Sequence, residues 1–176
     1  MHMLGSRVAS PLPMRASSLL LALAMLVSAC AGRSFDGRVY DDGELRFRTG
    51  PVPQGWRGIE SDGTLLAFRD DHAGATLAVN GRCGMDGDDV PLSSLTQHLF
   101  LQFTERELKS QREVSLDGRA ALRTELMGKL DGVPKHFLVY VLKKNGCVYD
   151  FWRVSDPIAA DATQFEAFVQ GFSTGI

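Results

Sequence analysis

Apolar and polar side chains alternate most clearly between residues 119 and 130. Leu122, Thr124 and Leu126 stand at every second position, with charged residues such as Arg123 between them. A period of two residues is typical of a β-strand with one face on the core and the other in water. The pattern therefore predicts a half-buried strand over residues 119–130.

Two further strands follow this one, each bounded by turn signals. Residues 137–142 (FLVYVL) are apolar at every position, which predicts a central strand covered on both faces. Residues 147–154 (CVYDFWRV) form the next strand. Pairs that favour two-residue hairpins mark the turns: Asp117-Gly118, Asp131-Gly132 and Asn145-Gly146. We expect a three-stranded antiparallel meander, preceded by a short strand at residues 113–116.

The first half of the chain combines a second set of strands with a helix. A hairpin is predicted around Asp42-Gly43, and strands at residues 64–69 and 75–80. Helical spacing appears in two groups of residues: Leu95, Leu99, Phe100 and Phe103, and then Phe165, Phe168, Val169 and Phe172. This order predicts the α+β class, with two β blocks in an antiparallel sheet that is covered by helices.

The N-terminal segment has the composition of a targeting signal. Arg7 and Arg15 precede an apolar run of 13 residues, 17–29, which is shorter than the roughly 20 residues that span a bilayer. The run ends in Val27-Ser28-Ala29-Cys30, which resembles the lipobox of bacterial lipoproteins. That resemblance implies cleavage before Cys30 and attachment of lipid to its thiol. An ordinary secretory signal with a cysteine just after its cleavage site is the alternative.

These signals divide the chain into three parts. Residues 1–29 are the signal peptide, residues 30–38 the lipidated cysteine and a short tether, and residues 39–176 a single globular domain. Ala31 rather than aspartate follows the cysteine, which by the sorting rule of that family favours the outer membrane. We expect the domain at the periplasmic face of the membrane. It should stay close to the bilayer, since a tether over residues 31–38 reaches at most about 27 Å.

Charge argues against a nucleic-acid partner. Two of the 19 basic residues and none of the 21 acidic residues fall in the signal peptide, so 17 basic and 21 acidic residues leave the mature chain a net charge of −4. Binding to phosphate needs clustered lysine and arginine, and the sequence has no such cluster.

Two cysteines, Cys83 and Cys147, remain once Cys30 is assigned to lipid. Each lies beside a glycine at the predicted end of a strand. In an oxidising compartment such a pair is more often a disulfide than two free thiols, so we expect a Cys83–Cys147 bridge. Free or buried thiols are the alternative. Because the pair lacks CxxC spacing, redox catalysis and metal binding have no support in the sequence.

Residues with catalytic or metal-binding chemistry are few. The histidines of the mature chain are His72, His98 and His136, and their spacing matches no zinc motif. No GxSxG motif is present. Asp86, Asp88 and Asp89 offer oxygen ligands for calcium, but the EF-hand loop is missing, and an acidic cap before the following helix explains the same residues. We therefore predict neither a metal site nor a cofactor.

Asp150 is the most suggestive polar residue. Alternation along its strand places its carboxylate on the same apolar face as Trp152, where it must be paired, exposed at an edge or raised in pKa. An ion pair with an arginine of a neighbouring strand, Arg123 for example, is one hypothesis. The other is a surface for a ligand or partner, in which Tyr140, Trp152 and Trp56 join Asp150.

Several stretches of the chain together look like the PsbP-like (Mog-type) α/β/α sandwich. They are the GW of an early Pro/Gly loop, a helix begun by PL, LDGR with ALRTE, DGV followed by YVLKK, CVYDF, and FEAFVQGF. The match covers roughly residues 39–173. Another small α+β fold, such as a cystatin-like or NTF2-like domain, is the alternative, but such folds place a long helix before the main sheet, and the sequence shows none there.

The resemblance implies an accessory role. Members of the family dock on membrane complexes, assist assembly or chaperone hydrophobic segments, and are generally not enzymes. We expect a lipid-anchored protein that binds a membrane or periplasmic protein partner. Two alternatives stay open. A carrier of a lipid or small apolar ligand needs a deep apolar pocket, and a hydrolase needs His98 or His136 to meet a serine and an aspartate in a cleft.

Overall fold

This computed structural model describes residues 32–84, 89–159 and 161–176. Within these ranges the chain forms ten β-strands and two α-helices. The strands are β1 (Ser34–Phe35), β2 (Val39–Asp41), β3 (Arg46–Arg48), β4 (Arg57–Gly58), β5 (Leu66–Asp70), β6 (Ala75–Cys83), β7 (Thr104–Leu116), β8 (Arg119–Leu130), β9 (Val133–Lys144) and β10 (Cys147–Ser155). The helices are α1 (Leu92–His98) and α2 (Thr163–Gln170), and a 3-10 turn spans Pro157–Ala159.

The three hairpin turns predicted in the second half of the chain are confirmed. Asp117, Asp131 and Asn145 have φ values of 48°, 51° and 53°, and the glycine after each of them also has a positive φ. Two consecutive residues in the left-handed region form the type I′ turn, which matches the twist of the paired strands. The turns connect β7, β8, β9 and β10, so the meander has four strands rather than the expected three.

The additional strand is β7, which the sequence pattern underestimates. A strand was expected only at residues 113–116, whereas β7 has 13 residues and forms one edge of the sheet. Its side chains are mostly polar and exposed, because backbone hydrogen bonds to β8, rather than burial of side chains, hold the strand in place. An exposed edge strand lacks apolar alternation, and its charges discourage pairing with another chain.

Seven strands form one antiparallel sheet in the order β4-β5-β6-β10-β9-β8-β7, and β1, β2 and β3 form a second, small sheet. Strand β10 is inserted between β6 and β9 and pairs with both. Strands β5 and β6 of the first predicted block therefore share one continuous sheet with the second block, whereas the hairpin predicted around Asp42-Gly43 lies in the small sheet. With two short helices, the architecture is an α+β fold that is mostly antiparallel sheet.

Different elements cover the two faces of the large sheet. Helix α2 and the small sheet bury a core rich in aromatic rings, including Phe47, Phe151 and Phe168. Helix α1 and the turn after it cover a smaller core that includes Leu95 and Phe137. We refer to these as the α2 face and the α1 face.

Strand β8 is covered on both faces, which corrects the prediction of a half-buried strand. Its apolar side is on the α1 face, where Leu126 is buried. Its polar side is on the α2 face, where Arg123 bonds to Glu166 of α2 and Glu125 bonds to His136 of β9. Alternation separated the two faces correctly, but it does not reveal what covers a polar face.

The folded unit begins at Arg33 rather than at residue 39. Strand β1 lies within the predicted tether and pairs with β2, and Phe35 packs its ring against Phe68 at 5.8 Å between centroids. The predicted signal peptide and Cys30 lie outside the described residues. Across the described ranges, no helix has the length and apolarity needed to cross a membrane.

Candidate functional site: a cleft beneath helix α1

The four residues predicted to form a binding surface lie on two different faces of the sheet. Asp150 and Trp152 are on the α1 face of β10, as alternation indicated. Tyr140 is on the α2 face, where its ring lies 6.0 Å from that of Phe165, and Trp56 packs against the core of the same face. Of the four, only Asp150 and Trp152 lie together. The sequence could not separate Tyr140 from them, because its strand is apolar throughout and the pattern does not reveal which face each residue occupies.

A cleft of about 430 Å³ lies on the α1 face beside Trp152. Strands β9 and β10 supply its floor and the chain after α1 its wall. The lining residues are Phe137, Val139, Trp152 and Val154 of the floor, residues 98–103 of the wall, and Asn80 and Leu130. We call this feature the α1 cleft; apart from Trp152, the sequence pattern did not single it out.

The wall of the α1 cleft is a tight turn rather than the continued helix that the spacing predicted. Helix α1 ends at His98, and Phe103 N donates to Phe100 O at 3.1 Å. This turn brings the ring of Phe103 to 4.1 Å from that of Phe137 on the floor. Leu101, between the two inward phenylalanines, is 71% exposed and lines the cleft, so the rim carries an exposed apolar side chain.

Asp150 lies beside the α1 cleft and is only 1% exposed. Its Oδ1 accepts a hydrogen bond from Asn80 Nδ2 at 2.7 Å, and its Oδ2 lies 3.3 Å from Arg82 Nη1. The predicted ion pair with an arginine of a neighbouring strand is confirmed, but the partner is Arg82 of β6. Arg123, the example offered by the sequence, lies on the α2 face instead. Burial raises the pKa of Asp150 despite its two partners, which lower it.

Asn80 carries an acceptor that the described residues leave unsatisfied. The Asp150 carboxylate only accepts hydrogen bonds, so the amide atom of Asn80 that contacts it is the donor, Nδ2. The remaining polar atom of the amide is the acceptor, Oδ1. Oδ1 is buried and has no hydrogen-bond partner among the described residues. A buried acceptor without a donor is unfavourable, and Asn80 forms part of the cleft lining.

A second polar cluster lies on the α2 face, away from the cleft. Arg123 donates from Nη2 to Glu166 at 2.8 Å and from Nε to the Tyr140 hydroxyl at 3.2 Å. His136 is buried, and its Nε2 lies 3.0 Å from Glu125 Oε1. The hydrogen bond with His136 is the main cause that lowers the pKa of Glu125. The cluster joins α2 to the sheet.

This cluster does not have the order of a Ser-His-acid triad. Ser110 Oγ donates to Glu125 at 3.3 Å, and the other oxygen of Glu125 bonds to His136. The carboxylate therefore stands between serine and histidine, whereas in a triad the histidine stands between the other two. His98 is exposed at the mouth of the α1 cleft, on the opposite face.

The expected disulfide is confirmed. Cys83 ends β6 and Cys147 begins β10, and the two residues are direct partners in the strand register. The bridge therefore closes the end of the two central strands. The described residues hold no group of three or more acidic, histidine or cysteine side chains that could bind a metal ion. The calcium hypothesis rests on Asp86 and Asp88, which lie outside those residues.

Comparison with known proteins identifies the fold. No family model matches the chain, and no curated protein matches it. The solution structure of cyanobacterial PsbP (CyanoP) from Synechocystis sp. PCC 6803 is similar, with a TM-score of 0.59 and 17% identity over 84% of this chain and 98% of that one.

Two further solved structures are similar at low sequence identity. A protein from Bacteroides thetaiotaomicron has a TM-score of 0.54 and 12% identity, over 74% of this chain and 45% of that one. LpqN from Mycobacterium tuberculosis, described as involved in cell envelope biogenesis, has a TM-score of 0.50 and 14% identity, over 70% of this chain and 80% of that one. The chain therefore has a PsbP-like fold, as the resemblance in its sequence predicted.

Proposed function

We propose that this protein is a lipid-anchored accessory protein of the bacterial envelope, which acts by binding near the membrane rather than by catalysis. The lipobox-like residues ending at Cys30 support the anchor, and Ala31 favours the outer membrane. The Cys83–Cys147 bridge suits an oxidising compartment outside the cytoplasm. LpqN, which shares the fold, is described as involved in cell envelope biogenesis.

The α1 cleft is the observation that carries the binding part of this proposal. Its aromatic floor is joined to an apolar rim at Leu101, which is 71% exposed. Concave apolar surfaces with an exposed apolar rim commonly receive an apolar group of a partner or ligand. Because the folded unit begins at Arg33, an anchor at Cys30 would keep the cleft close to the bilayer.

A second candidate function, carriage of a lipid or small apolar ligand, is favoured by the size of the same cleft. Its volume of about 430 Å³ falls within the range of small-molecule sites, roughly 300–1,000 Å³. The two candidates share one binding site and differ in what occupies it.

Native mass spectrometry of the full chain, extracted from membranes in mild detergent, tests the proposal. We expect an acyl mass on Cys30, which Cys30→Ser abolishes, and a stoichiometric protein companion. Leu101→Asp should release the companion, whereas Leu108→Asp, on β7 and 60% exposed, should not. An unlipidated Cys30, or equal loss of the companion from both variants, would contradict the proposal. A small molecule in place of the companion would favour the carrier.

A further inference from the structure

A groove lies beside the residue at which the folded unit begins. Its volume is about 310 Å³, and it runs between β1 and the part of the large sheet formed by β4 and β5. Its lining includes Arg33, Phe35, Ile59, Glu60 and Leu65. We call this feature the β1 groove. Because the folded unit begins at Arg33, the groove is formed in part by the residue at which the chain arrives from Cys30.

The length of the intervening chain would hold this groove at the lipid head groups. Three residue steps join Cys30 to Arg33, and at up to about 3.6 Å each they span at most about 11 Å. The hydrocarbon core of a bilayer is about 30 Å thick and the bilayer with its head groups about 40–45 Å, so each head-group layer is roughly 5–7 Å deep. With a lipid on Cys30, the side chain of Arg33 reaches that layer.

Two side chains of opposite charge line the β1 groove, and neither is neutralised by a neighbour. Arg33 donates from Nη1 to the carbonyl oxygen of Thr64 at 3.0 Å, which leaves most of its five N–H groups for other acceptors. Within the part of the chain that the structure describes, neither Arg33 nor Glu60 forms an ion pair, with each other or with another residue. Both residues are exposed, so a ligand in the groove can contact both charges.

These two charges favour a zwitterionic ligand. A phosphate accepts charge-assisted hydrogen bonds from arginine, and a primary ammonium donates them to a carboxylate. Glu60 would repel an anionic head group without an ammonium, and a quaternary ammonium has no N–H to donate. Phe35, Ile59 and Leu65 are half-buried along the same groove, so they offer apolar contacts to the glycerol and the first methylene groups of a lipid.

We propose that the β1 groove binds the head group of a membrane phospholipid with a primary ammonium, such as phosphatidylethanolamine, with its phosphate at Arg33 and its ammonium at Glu60. This inference rests on the proposed lipid anchor at Cys30, which holds the groove against the bilayer. Anchor and groove together fix one side of the domain on the membrane. The α1 cleft, on the opposite face of the large sheet, stays accessible to a partner.

Native mass spectrometry of the full chain in mixed micelles tests this assignment. The micelles contain a mild detergent and equal amounts of phosphatidylethanolamine, phosphatidylcholine and phosphatidylglycerol with the same acyl chains. The three lipids share the phosphate and differ in carrying a primary ammonium, a quaternary ammonium or an uncharged glycerol. We expect one phosphatidylethanolamine to be retained about tenfold more often than either of the others, which is the effect of about one charge-assisted hydrogen bond.

Variants of the groove separate the roles of the two charges. Glu60→Gln should abolish the preference for phosphatidylethanolamine, because the ammonium loses its charged acceptor. Arg33→Gln should lower retention of all three lipids, because they share the phosphate. Arg38→Gln and Glu44→Gln are matched controls, since both residues are exposed and neither lines the groove. These controls remove the same charges outside the groove and should change neither retention nor preference.

Three results would overturn the inference: equal retention of the three lipids by the native chain, a preference that persists in Glu60→Gln, or control variants that behave like the groove variants. Displacement of the lipid by an equal concentration of soluble O-phosphoethanolamine would also overturn it, by assigning the groove to a free phosphate compound.

The same spectra report the acyl mass on Cys30, so the anchor and the groove are judged separately. Acylation without a preference among the lipids would retain the anchor and reject the head-group site. A preference for phosphatidylethanolamine on an unacylated chain would retain the head-group site and reject the anchor.

Discussion

At the scale of single residues, the position of Asp150 shows how a charged side chain is accommodated within a sheet. Asn80 and Arg82, separated from it by 70 and 68 positions in sequence, supply its hydrogen bonds. Alternation predicted the face on which Asp150 lies, because the period of a strand is a local property. It could not identify the partners, since they belong to a strand from the other β block.

We expect the stability of Asp150→Asn, compared with that of the native chain, to rise with increasing pH. Because burial raises the pKa of Asp150 above 3.8, the folded state holds this proton more tightly than the unfolded chain. The native protein therefore loses stability through this group as pH rises from 3.8 through the folded pKa. Over that interval the free energy of unfolding of the variant should rise relative to the native chain, as measured by urea titrations at successive pH values.

Asp71→Asn is the matched control with the opposite sign. The hydrogen bond from Arg57 is the main cause that lowers the pKa of Asp71. Its carboxylate adds stability above the ordinary pKa, and that stability is lost as pH falls. Relative to the native chain, this variant should therefore lose stability as pH rises. Trends of the same sign in the two variants would refute the assignment of Asp150.

At the scale of elements, the hairpins and the edge strand differ in how far the sequence predicts them. Asp-Gly and Asn-Gly pairs predict their turns because few residue types adopt a positive φ. Strand β7 depends instead on a neighbour, since β8 supplies its hydrogen bonds and most of its own side chains stay in water. The wall of the α1 cleft is similar, because packing of Phe103 on Phe137 competes with continuation of the helix.

A close approach of two elements leads to a prediction at this scale. Gly50 N donates to Phe168 O of α2 at 2.7 Å, and a Cβ at Gly50 would overlap the backbone of Ala167 and Phe168. Gly50→Ala should lower the free energy of unfolding by about 1–3 kcal/mol, because α2 must shift away. Urea unfolding measures the change.

Gly58→Ala is the control for this prediction. A Cβ at Gly58 would meet nothing within 4 Å, so this variant should stay within about 0.5 kcal/mol of the native chain. An equal loss in both variants would show that the approach of α2 to Gly50 does not limit stability.

At the scale of the whole molecule, the insertion of β10 between β6 and β9 organises the protein. It joins β5 and β6 to the second β block in one sheet, places Asn80 beside Asp150 and brings Cys83 opposite Cys147. The same insertion sets Trp152 of β10 beside Val139 of β9 on the floor of the α1 cleft. The candidate site therefore depends on the order of strands in space.

The disulfide gives a prediction at this scale. Its two cysteines are 64 residues apart, so the chain-entropy model predicts a stabilisation of up to about 4 kcal/mol. The double variant Cys83→Ala with Cys147→Ala should unfold at lower urea concentration than the oxidised native chain. Reductant should destabilise the native chain and leave the double variant unchanged. A native chain whose unfolding is insensitive to complete reduction would contradict the prediction.

The sequence by itself determined the strands β8, β9 and β10, the turns of the meander, the two cysteines that pair, the face of Asp150 and the resemblance to a PsbP-like fold. These follow from local properties: a period of two, a positive φ and the order of elements. Only the tertiary structure decided the partners of Asp150, the separation of Tyr140 and Trp56 from Trp152, the edge strand β7 and the α1 cleft. Each of these depends on which distant segments become neighbours, and that is decided by the packing of the whole chain.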